Sequence, residues 1–173
     1  MKDYLFENGP IKIERLQCKK MQLNDYKTAH EKLCIACHDV FIEYSGGIIL
    51  VKRKNFPAKN EFWPIGGRIN RGFETEQSLK MKAKEECNLD LDNITFLGAG
   101  RTFFETDPFG HGHGTDTVNF AYFARGNGEL KLDEYHSEYI IVTSDTYKNM
   151  KRELHPYVRQ FIEKAMVYQK SES

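Results

Sequence analysis

The sequence predicts a single α+β domain in which a mixed β-sheet is covered by helices. The chain has 173 residues, a length that suits one domain with its own hydrophobic core. Strand-like runs of apolar and β-branched residues recur along it, and helical patterns stand between and after these runs. Strands interrupted by a mid-chain helix and followed by a terminal helix imply a sheet with helices packed against it.

The first part of this domain is predicted to be a helix followed by a β-hairpin. A short helical pattern covers residues 23–32, and a strand-like run over residues 34–43 comes next. Residues 45–47 (Ser-Gly-Gly) have the composition of a turn, so residues 48–52 form the returning strand. The hairpin therefore places Arg53 at the end of its second strand.

The second part is organised around a central helix over residues 75–87. Asn88 follows it and suits the left-handed conformation that often closes a helix. Further elements are predicted in the order of strands over residues 94–104, 117–124 and 139–142, and then helices from Ser144 and from Pro156.

The first 20 residues show no sustained hydrophobic period. We therefore predict an N-terminal extension or dimerisation arm over residues 1–20 and a single domain over residues 21–168. No apolar run approaches the roughly 18 residues that span a bilayer, and the start lacks the apolar core of a signal peptide. We expect a cytoplasmic protein without a membrane partner.

Composition limits the classes of partner further. Hydrophobic residues make up 40% and charged residues 29% of the chain, and the formal net charge is zero. This balance argues against disorder and against a basic surface for nucleic acid. Positive charge that binds phosphate must therefore be confined to a local cluster of residues.

The four cysteines are predicted to be free thiols, because their scatter does not resemble a disulfide framework. Cys34 and Cys37 form a C-x-x-C pair that could suggest zinc or redox chemistry. Residues three apart on a strand face opposite sides, so this pair is poorly placed to chelate a metal, and buried structural cysteines are the favoured interpretation.

Residues 66–89 carry the pattern with the most chemical content. Gly66 and Gly67 allow the backbone to approach a ligand closely, and Arg68 supplies a guanidinium that suits phosphate. Glu85 and Glu86 stand in the last turn of the central helix. Because magnesium binds through carboxylates and substrate phosphates, the glycine loop and these glutamates could close around one cation.

This stretch resembles the motif of the Nudix hydrolases, which runs from one glycine to another with paired glutamates just before its end. Gly67 and Asn88 stand at the two ends, Glu85 and Glu86 are the pair, and Leu89 is the apolar closing residue. Four positions depart from the motif: Phe73 replaces its early glutamate, Met81 its arginine, Lys82 its third metal-binding glutamate and Asn88 its last glycine.

Two further segments are similar to the GDP-mannose mannosyl hydrolase branch of that family. Residues 51–69 resemble the branch's approach to the motif, and residues 132–145 resemble the segment that carries its catalytic histidine. The helix from Leu23 and the triplet at residues 114–116, which ends in Asp116, also agree. The resemblance covers about residues 21–147 and implies the Nudix fold, with the sheet sandwiched between helices.

The resemblance implies a mechanism in which water attacks the anomeric carbon of a nucleotide sugar similar to GDP-mannose. His136 falls at the position of the base, and Arg53 and Arg68 at those of the arginines that bind the diphosphate. Glu86 and the carbonyl of Gly66 would hold one Mg²⁺ or Mn²⁺ ion. Asp39 falls at a further active-site position, and Asp116 and Thr102 at substrate-side positions.

The branch works with a single metal, which agrees with Lys82 standing four positions before Glu86. A lysine there would pair with Glu86 and disfavour a second cation. Glu85 could cap, pair or complete the metal site, because the branch's glutamine ligand is replaced here by Tyr135.

Two alternatives concern the substrate side and the reaction. The branch's sugar-site histidine is replaced by Thr102, and His111 or His113 in the following glycine-rich loop could assume that role. The chain could also be a pyrophosphatase that cleaves between the phosphates, or a Nudix-like nucleotide-sugar-binding module without activity. The branch further implies a homodimer formed through the N-terminal region.

Overall fold

The computed structural model describes residues 1–171. A short 3-10 helix (Ile13–Leu16) precedes the domain. The elements are then α1 (Leu23–Lys32), β1 (Ile35–Tyr44), β2 (Gly47–Arg53), β3 (Phe62–Trp63), β4 (Ile65–Arg68), α2 (Thr75–Cys87), β5 (Asp90–Phe104), β6 (Thr115–Asn127), β7 (His136–Val142), α3 (Ser144–Met150) and α4 (Pro156–Ser171). In this described part of the chain, no helix has the length and apolar character needed to cross a membrane.

The seven strands form one mixed sheet in the order β3-β2-β1-β6-β5, with β4 paired to β1 and β7 paired to β2. β1 and β6 run parallel, and the other pairs are antiparallel. β1 pairs with β2 only beside the turn, at Glu43 and Tyr44. Beyond that point β1 pairs with β4 and β2 pairs with β7, so the sheet divides into two branches.

Each face of the sheet carries its own hydrophobic core, and β1 shows why. Side chains alternate across a strand, so Phe41 points to the face covered by α4, where it packs in a cluster with Phe161 and Ile162. Val40 and Ile42 point to the other face and pack in a cluster with residues of α2 such as Leu79. The predicted α+β class, with a mixed sheet between helices, is confirmed.

The predicted limits of α1 and α2 agree with the structure. Glu74 forms a capping box at the start of α2, and Asn88 closes the helix at φ 60°. The strand limits needed correction. β5 begins at Asp90 rather than at residue 94, because backbone pairing with β6 extends to Asn127 across a segment in which Leu91 is the one apolar residue.

The N-terminal segment packs against the loop and helix that follow β4. The Asp3 carboxylate accepts hydrogen bonds from the Thr75 backbone N–H and hydroxyl, at 2.8 and 2.7 Å. The side-chain amide of Gln17 donates to the Gly72 carbonyl at 3.2 Å. Residues 1–20 therefore contact the start of α2, and their role as a dimerisation arm stays a prediction.

The cysteines are free thiols, as predicted. Cys37 is buried in β1, in agreement with the core interpretation. Cys34 is exposed, so the expectation of a buried pair was wrong for this residue. The reason is that Cys34 precedes the first residue of β1 and lies outside the strand.

Candidate functional site

A cavity of about 430 Å³ opens beside the division of the sheet. Its volume lies in the range of pockets that enclose small molecules. Ends of β1, β2, β4, β5, β6 and β7 contribute to its wall, together with α1 and the last turn of α2. The predicted site residues that line it are Asp39, Arg53, Gly66, Arg68, Glu86, Thr102 and His136.

His136, the first residue of β7, is held by Asp133. Its Nδ1 atom lies 2.8 Å from Oδ1 of Asp133, and the same oxygen accepts the Tyr135 backbone N–H at 2.9 Å. The backbone N–H of Asp133 donates in turn to the Glu86 carbonyl at 3.0 Å, which ties this loop to α2. A carboxylate at Nδ1 favours the tautomer whose Nε2 lone pair is available to accept a proton.

Arg53 stands opposite His136 in the pairing of β2 with β7, just after a register shift in β2. Its Nε atom donates to the Pro57 carbonyl at 2.8 Å, which fixes the direction of the side chain. Burial lowers the pKa of the guanidinium, while the nearby carboxylates of Asp39 and Glu86 act in the opposite direction. Arg53 is thus a half-buried cation beside His136.

Glu86 is the carboxylate that could hold a divalent cation. Its side chain is 13% exposed, Oε2 accepts the Gly66 N–H at 3.2 Å, and Oε1 lies 3.4 Å from Nζ of Lys82. Burial raises the pKa of Glu86, which indicates a carboxylate incompletely compensated by its surroundings. A cation on the cavity side would supply that compensation.

The donor set fits a single hard cation. Within residues 1–171, no three carboxylate, histidine or cysteine side chains come together as a preformed metal cluster. A cation bound by Glu86 would complete its shell with water and phosphate oxygens, as magnesium commonly does. Lys82 occupies the side of Glu86 on which a second cation would need a carboxylate.

Glu85, the other predicted metal ligand, is not brought to the cavity. Its side chain is 61% exposed, and its Oε2 atom lies 4.0 Å from Nζ of Lys82. Adjacent helical residues project about 100° apart, so α2 turns only one of the two glutamates inward. Glu85 therefore takes part in a surface ion pair and does not face the cavity.

Asp39 is buried at the base of the cavity, with a relative exposure of 3%. The Tyr157 hydroxyl of α4 donates to its Oδ2 atom at 2.7 Å. Burial raises the pKa of Asp39 to about 7, although the hydrogen bond from Tyr157 and the charge of Arg53 oppose this shift. Perturbed carboxyls of this kind are typical of functional sites.

Arg68 is positioned by α1. Its guanidinium carbon lies 4.3 Å from the centre of the Tyr26 ring, a distance at which a cation and an aromatic face attract each other. The second predicted phosphate-binding arginine therefore lines the cavity beside α1.

The predicted substrate-side residues separate into two groups. Thr102 is buried in the cavity wall, where its hydroxyl lies 2.7 Å from that of Thr117 and accepts the Asn119 amide at 3.0 Å. His111, His113 and Asp116 are not among the lining residues. His111 lies behind His30, His113 is largely exposed, and Asp116 forms two hydrogen bonds with Arg101.

Sequence reasoning missed four residues that shape the site: Asp133, Tyr157, Tyr26 and His30. Asp133 stands three positions before His136, and that spacing in a loop was a usable signal. Tyr157 lies 118 positions from Asp39, so no local pattern connects them. Tyr26 and His30 are four positions apart on α1, which identifies one helix face but not what that face covers.

No family model matches the chain. A curated relative, the low-salt glycan biosynthesis protein Agl8 of Haloferax volcanii, is 27% identical over 129 residues, covering 72% of this chain and 78% of that protein. Among solved structures, the MutT NUDIX hydrolase from Burkholderia pseudomallei superposes with a TM-score of 0.59 at 19% identity, covering 77% of this chain and 98% of that chain.

The NUDIX domain of Shewanella oneidensis NrtR, complexed with ADP ribose, superposes with a TM-score of 0.60 at 17% identity. This match covers 86% of the present chain and 99% of that domain. The two matches cover 98% and 99% of those solved chains. The chain therefore has the Nudix fold, with its cavity at the division of the sheet.

Proposed function

We propose that the chain hydrolyses a nucleotide sugar similar to GDP-mannose, with attack of water on the anomeric carbon and release of a nucleoside diphosphate and a free sugar. The observation that carries this proposal is the pairing of His136 with Asp133 beside Arg53. An oriented imidazole suits proton removal from water, and the half-buried guanidinium next to it suits a diphosphate leaving group.

The proposed reaction assigns a separate task to each group. Asp133 holds the Nδ1–H of His136, so that Nε2 accepts a proton from water. The water oxygen forms a bond to the anomeric carbon, and the bond from that carbon to the phosphate oxygen breaks with its electron pair leaving on the diphosphate. Arg53 and Arg68 neutralise the charge that develops there.

Glu86, together with the carbonyl of Gly66, would hold one Mg²⁺ or Mn²⁺ ion beside these arginines. When bound, the ion supplies additional positive charge to the diphosphate oxygens. The salt bridge between Lys82 and Glu86 supports one ion rather than two, because the ammonium already occupies one side of the carboxylate.

The named roles of similar proteins support a nucleotide sugar as the substrate. The Haloferax volcanii relative is named for glycan biosynthesis, a process that consumes activated sugars. The NrtR domain was crystallised with ADP ribose, in which a nucleoside diphosphate is joined to a sugar. A nucleotide sugar, to which both names point, suits a cavity that combines cationic side chains with neutral polar groups.

A product assay tests the proposal. A panel of nucleotide sugars that includes GDP-mannose is incubated with the protein with and without magnesium, and nucleoside diphosphate is resolved from monophosphate. Diphosphate plus free sugar supports attack at the anomeric carbon. Monophosphate plus sugar phosphate would identify a pyrophosphatase, and binding without turnover would identify a nucleotide-sugar-binding module.

The predicted homodimer and N-terminal arm need a separate measurement. Light scattering of the full chain, compared with a chain that lacks residues 1–20, would give the mass of each in solution. Loss of the dimer only in the shortened chain would support the arm, whereas a monomer in both would contradict the homodimer.

A further inference from the structure

His30 of α1 is a buried polar residue on the cavity wall to which the proposed reaction gives no task. It is 8% exposed, and its Nδ1 atom lies 2.8 Å from Nε2 of His111. Its other nitrogen, Nε2, has no hydrogen-bond partner among residues 1–171 and is not fully enclosed by protein, and the residue lines the cavity. A ligand that displaces water from this atom must supply a hydrogen bond in its place.

The protonation of His30 follows from the hydrogen bonds behind it. The backbone N–H of His113 donates to Nδ1 of His111 at 3.1 Å, so this Nδ1 must carry a lone pair. A neutral His111 then carries its proton on Nε2 and donates it to Nδ1 of His30. His30 in turn holds its own proton on Nε2, the atom without a protein partner.

Burial of His30 and the proximity of His111 lower the pKa of His30, in agreement with a neutral ring. A neutral ring with a fixed Nε2–H is a directional hydrogen-bond donor.

The loop that carries His111 is shaped by Asp107. Its Oδ1 atom accepts the backbone N–H groups of Phe109 and His111 at 2.8 and 3.1 Å, and Oδ2 accepts that of Gly112 at 3.0 Å. Phe109 meets the His30 ring edge to face, with ring centres 5.2 Å apart. These contacts hold His111 in place and pack His30 from a second direction.

The cavity wall carries both charged and neutral polar groups. Arg53, Glu86 and His136 line it from β2, α2 and β7, and Arg68 lies against Tyr26, one turn before His30 on α1. Thr102 and Thr117 contribute paired hydroxyls from β5 and β6, in a wall that His30 also lines. Hydroxyl groups and one neutral N–H donor suit the hydroxyl oxygens of a sugar rather than a phosphate.

We propose that His30 binds the glycosyl half of the substrate by donating its Nε2–H to a sugar oxygen, and that His111 is the positioning residue that fixes this donor. The inference rests on the proposed function in taking a nucleotide sugar as the ligand. It places the sugar-recognising imidazole on α1, whereas the sequence predicted His111 or His113 for that role.

Calorimetry with two probes, GDP-mannose and GDP, in the presence of magnesium tests the ligand contact. A His136→Ala background slows turnover of the probe during the titration. His30→Leu should weaken GDP-mannose binding about 10- to 100-fold, because it leaves a buried sugar hydroxyl without its donor. GDP binding should change less than about twofold, and His30→Gln, which retains an N–H donor, should recover most of the loss.

Several results would overturn the assignment. If His30→Leu weakened the binding of GDP-mannose and of GDP equally, His30 would lie against the nucleoside or the phosphates. Unchanged GDP-mannose binding in His30→Leu would remove it from the site, and binding of GDP alone by the His136→Ala background would exclude a glycosyl subsite. These outcomes differ from failure of the proposed function, which appears as the absence of a diphosphate product in the turnover assay.

The hydrogen-bond relay has its own test without a substrate. Imidazole nitrogen NMR of the unsubstituted chain should show the His30 proton on Nε2, and His111→Ala should return this ring to a mixture of tautomers. His113→Ala is the matched control, because it retains the backbone N–H that donates to His111. A mixture of His30 tautomers in the unsubstituted chain would overturn the positioning role of His111. An unchanged His30 tautomer in His111→Ala would overturn it as well.

Discussion

Nδ1 of His136 and Oδ1 of Asp133 lie 2.8 Å apart at the start of β7, and the loop between them is bonded to the end of α2. The orientation of the imidazole is therefore set by the protein before a ligand arrives. Because Arg53 is the pairing partner of His136 across β2 and β7, the proposed base and the proposed diphosphate-binding cation have a fixed spacing.

His136→Ala should lower kcat with little change in substrate affinity, because the imidazole acts on water. A general base contributes about 10²- to 10⁴-fold, so a loss of that size is expected. Asp133→Asn should lower kcat about 10- to 100-fold, the equivalent of one hydrogen bond to a charged group. Steady-state kinetics with the best nucleotide sugar of the panel gives both values.

A suitable control for these variants is Glu134→Gln, which changes a neighbouring charge in the same loop. The Glu134 carboxylate is not among the groups that line the cavity. If His136→Ala retained the full kcat, another group would have to accept the proton from water.

Glu86→Gln should abolish the magnesium dependence of turnover and lower kcat/KM about 100-fold or more, since it removes the carboxylate that faces the cavity. Glu85→Gln is the matched control. It makes the same chemical change one position earlier, on a side chain that is 61% exposed, and should leave kcat/KM within about twofold. Activity measured against magnesium concentration compares the two variants.

The reverse result, in which Glu85→Gln is inactive and Glu86→Gln is active, would assign the metal to the exposed glutamate. It would also require α2 to be rotated about its axis relative to its orientation in the structure. Equal loss in both variants would indicate that the cation uses the two carboxylates together.

Elements set by local signals could be predicted closely from the sequence. The limits of α2 follow from its capping box and from Asn88, which marks its end, whereas α1 has no side-chain cap and follows from its helical pattern. The start of β5 could not be found in this way, because its polar residues are held by pairing with β6, a distant segment. Local pattern carries no information about such pairing.

The same distinction applies to the site. His136, Arg53 and Glu86 were placed by resemblance and lie around one cavity. The resemblance named Glu86 as a metal ligand but left the role of Glu85 open, because the direction of its side chain depends on how α2 is rotated against the sheet. The contact between Asp39 and Tyr157 joins β1 to α4 and exists only once the tertiary fold has formed.

Tyr26→Leu should weaken binding of a nucleoside diphosphate about 2- to 5-fold, because Arg68 loses the aromatic face that orients it. A cation–π contact contributes about 0.5 to 1 kcal/mol at an accessible site. Tyr26→Phe, which retains the ring, should bind within about twofold of the unsubstituted protein. Calorimetry with GDP measures both, and equal losses in the two variants would point to the Tyr26 hydroxyl instead.

Asp39→Asn should make the metal-free protein more stable at pH 8 but not at pH 4. Burial raises the pKa of Asp39 to about 7 from an ordinary value of 3.8, so between these values the folded state holds a proton that the unfolded chain has lost. Stability from this group is fully present below about pH 4 and is lost as the pH rises through 7. Asparagine cannot ionise, and its carbonyl still accepts the Tyr157 hydroxyl.

Chemical denaturation of both proteins at pH 4, 6 and 8 in the presence of a chelator measures this effect. The full shift corresponds to up to about 4 kcal/mol, so the advantage of Asp39→Asn should grow with pH toward a value of that order. The neighbouring Arg53 limits the gain, because its charge favours the ionised carboxyl. A difference in stability that does not depend on pH would mean that Asp39 ionises in the folded protein as readily as in the unfolded chain.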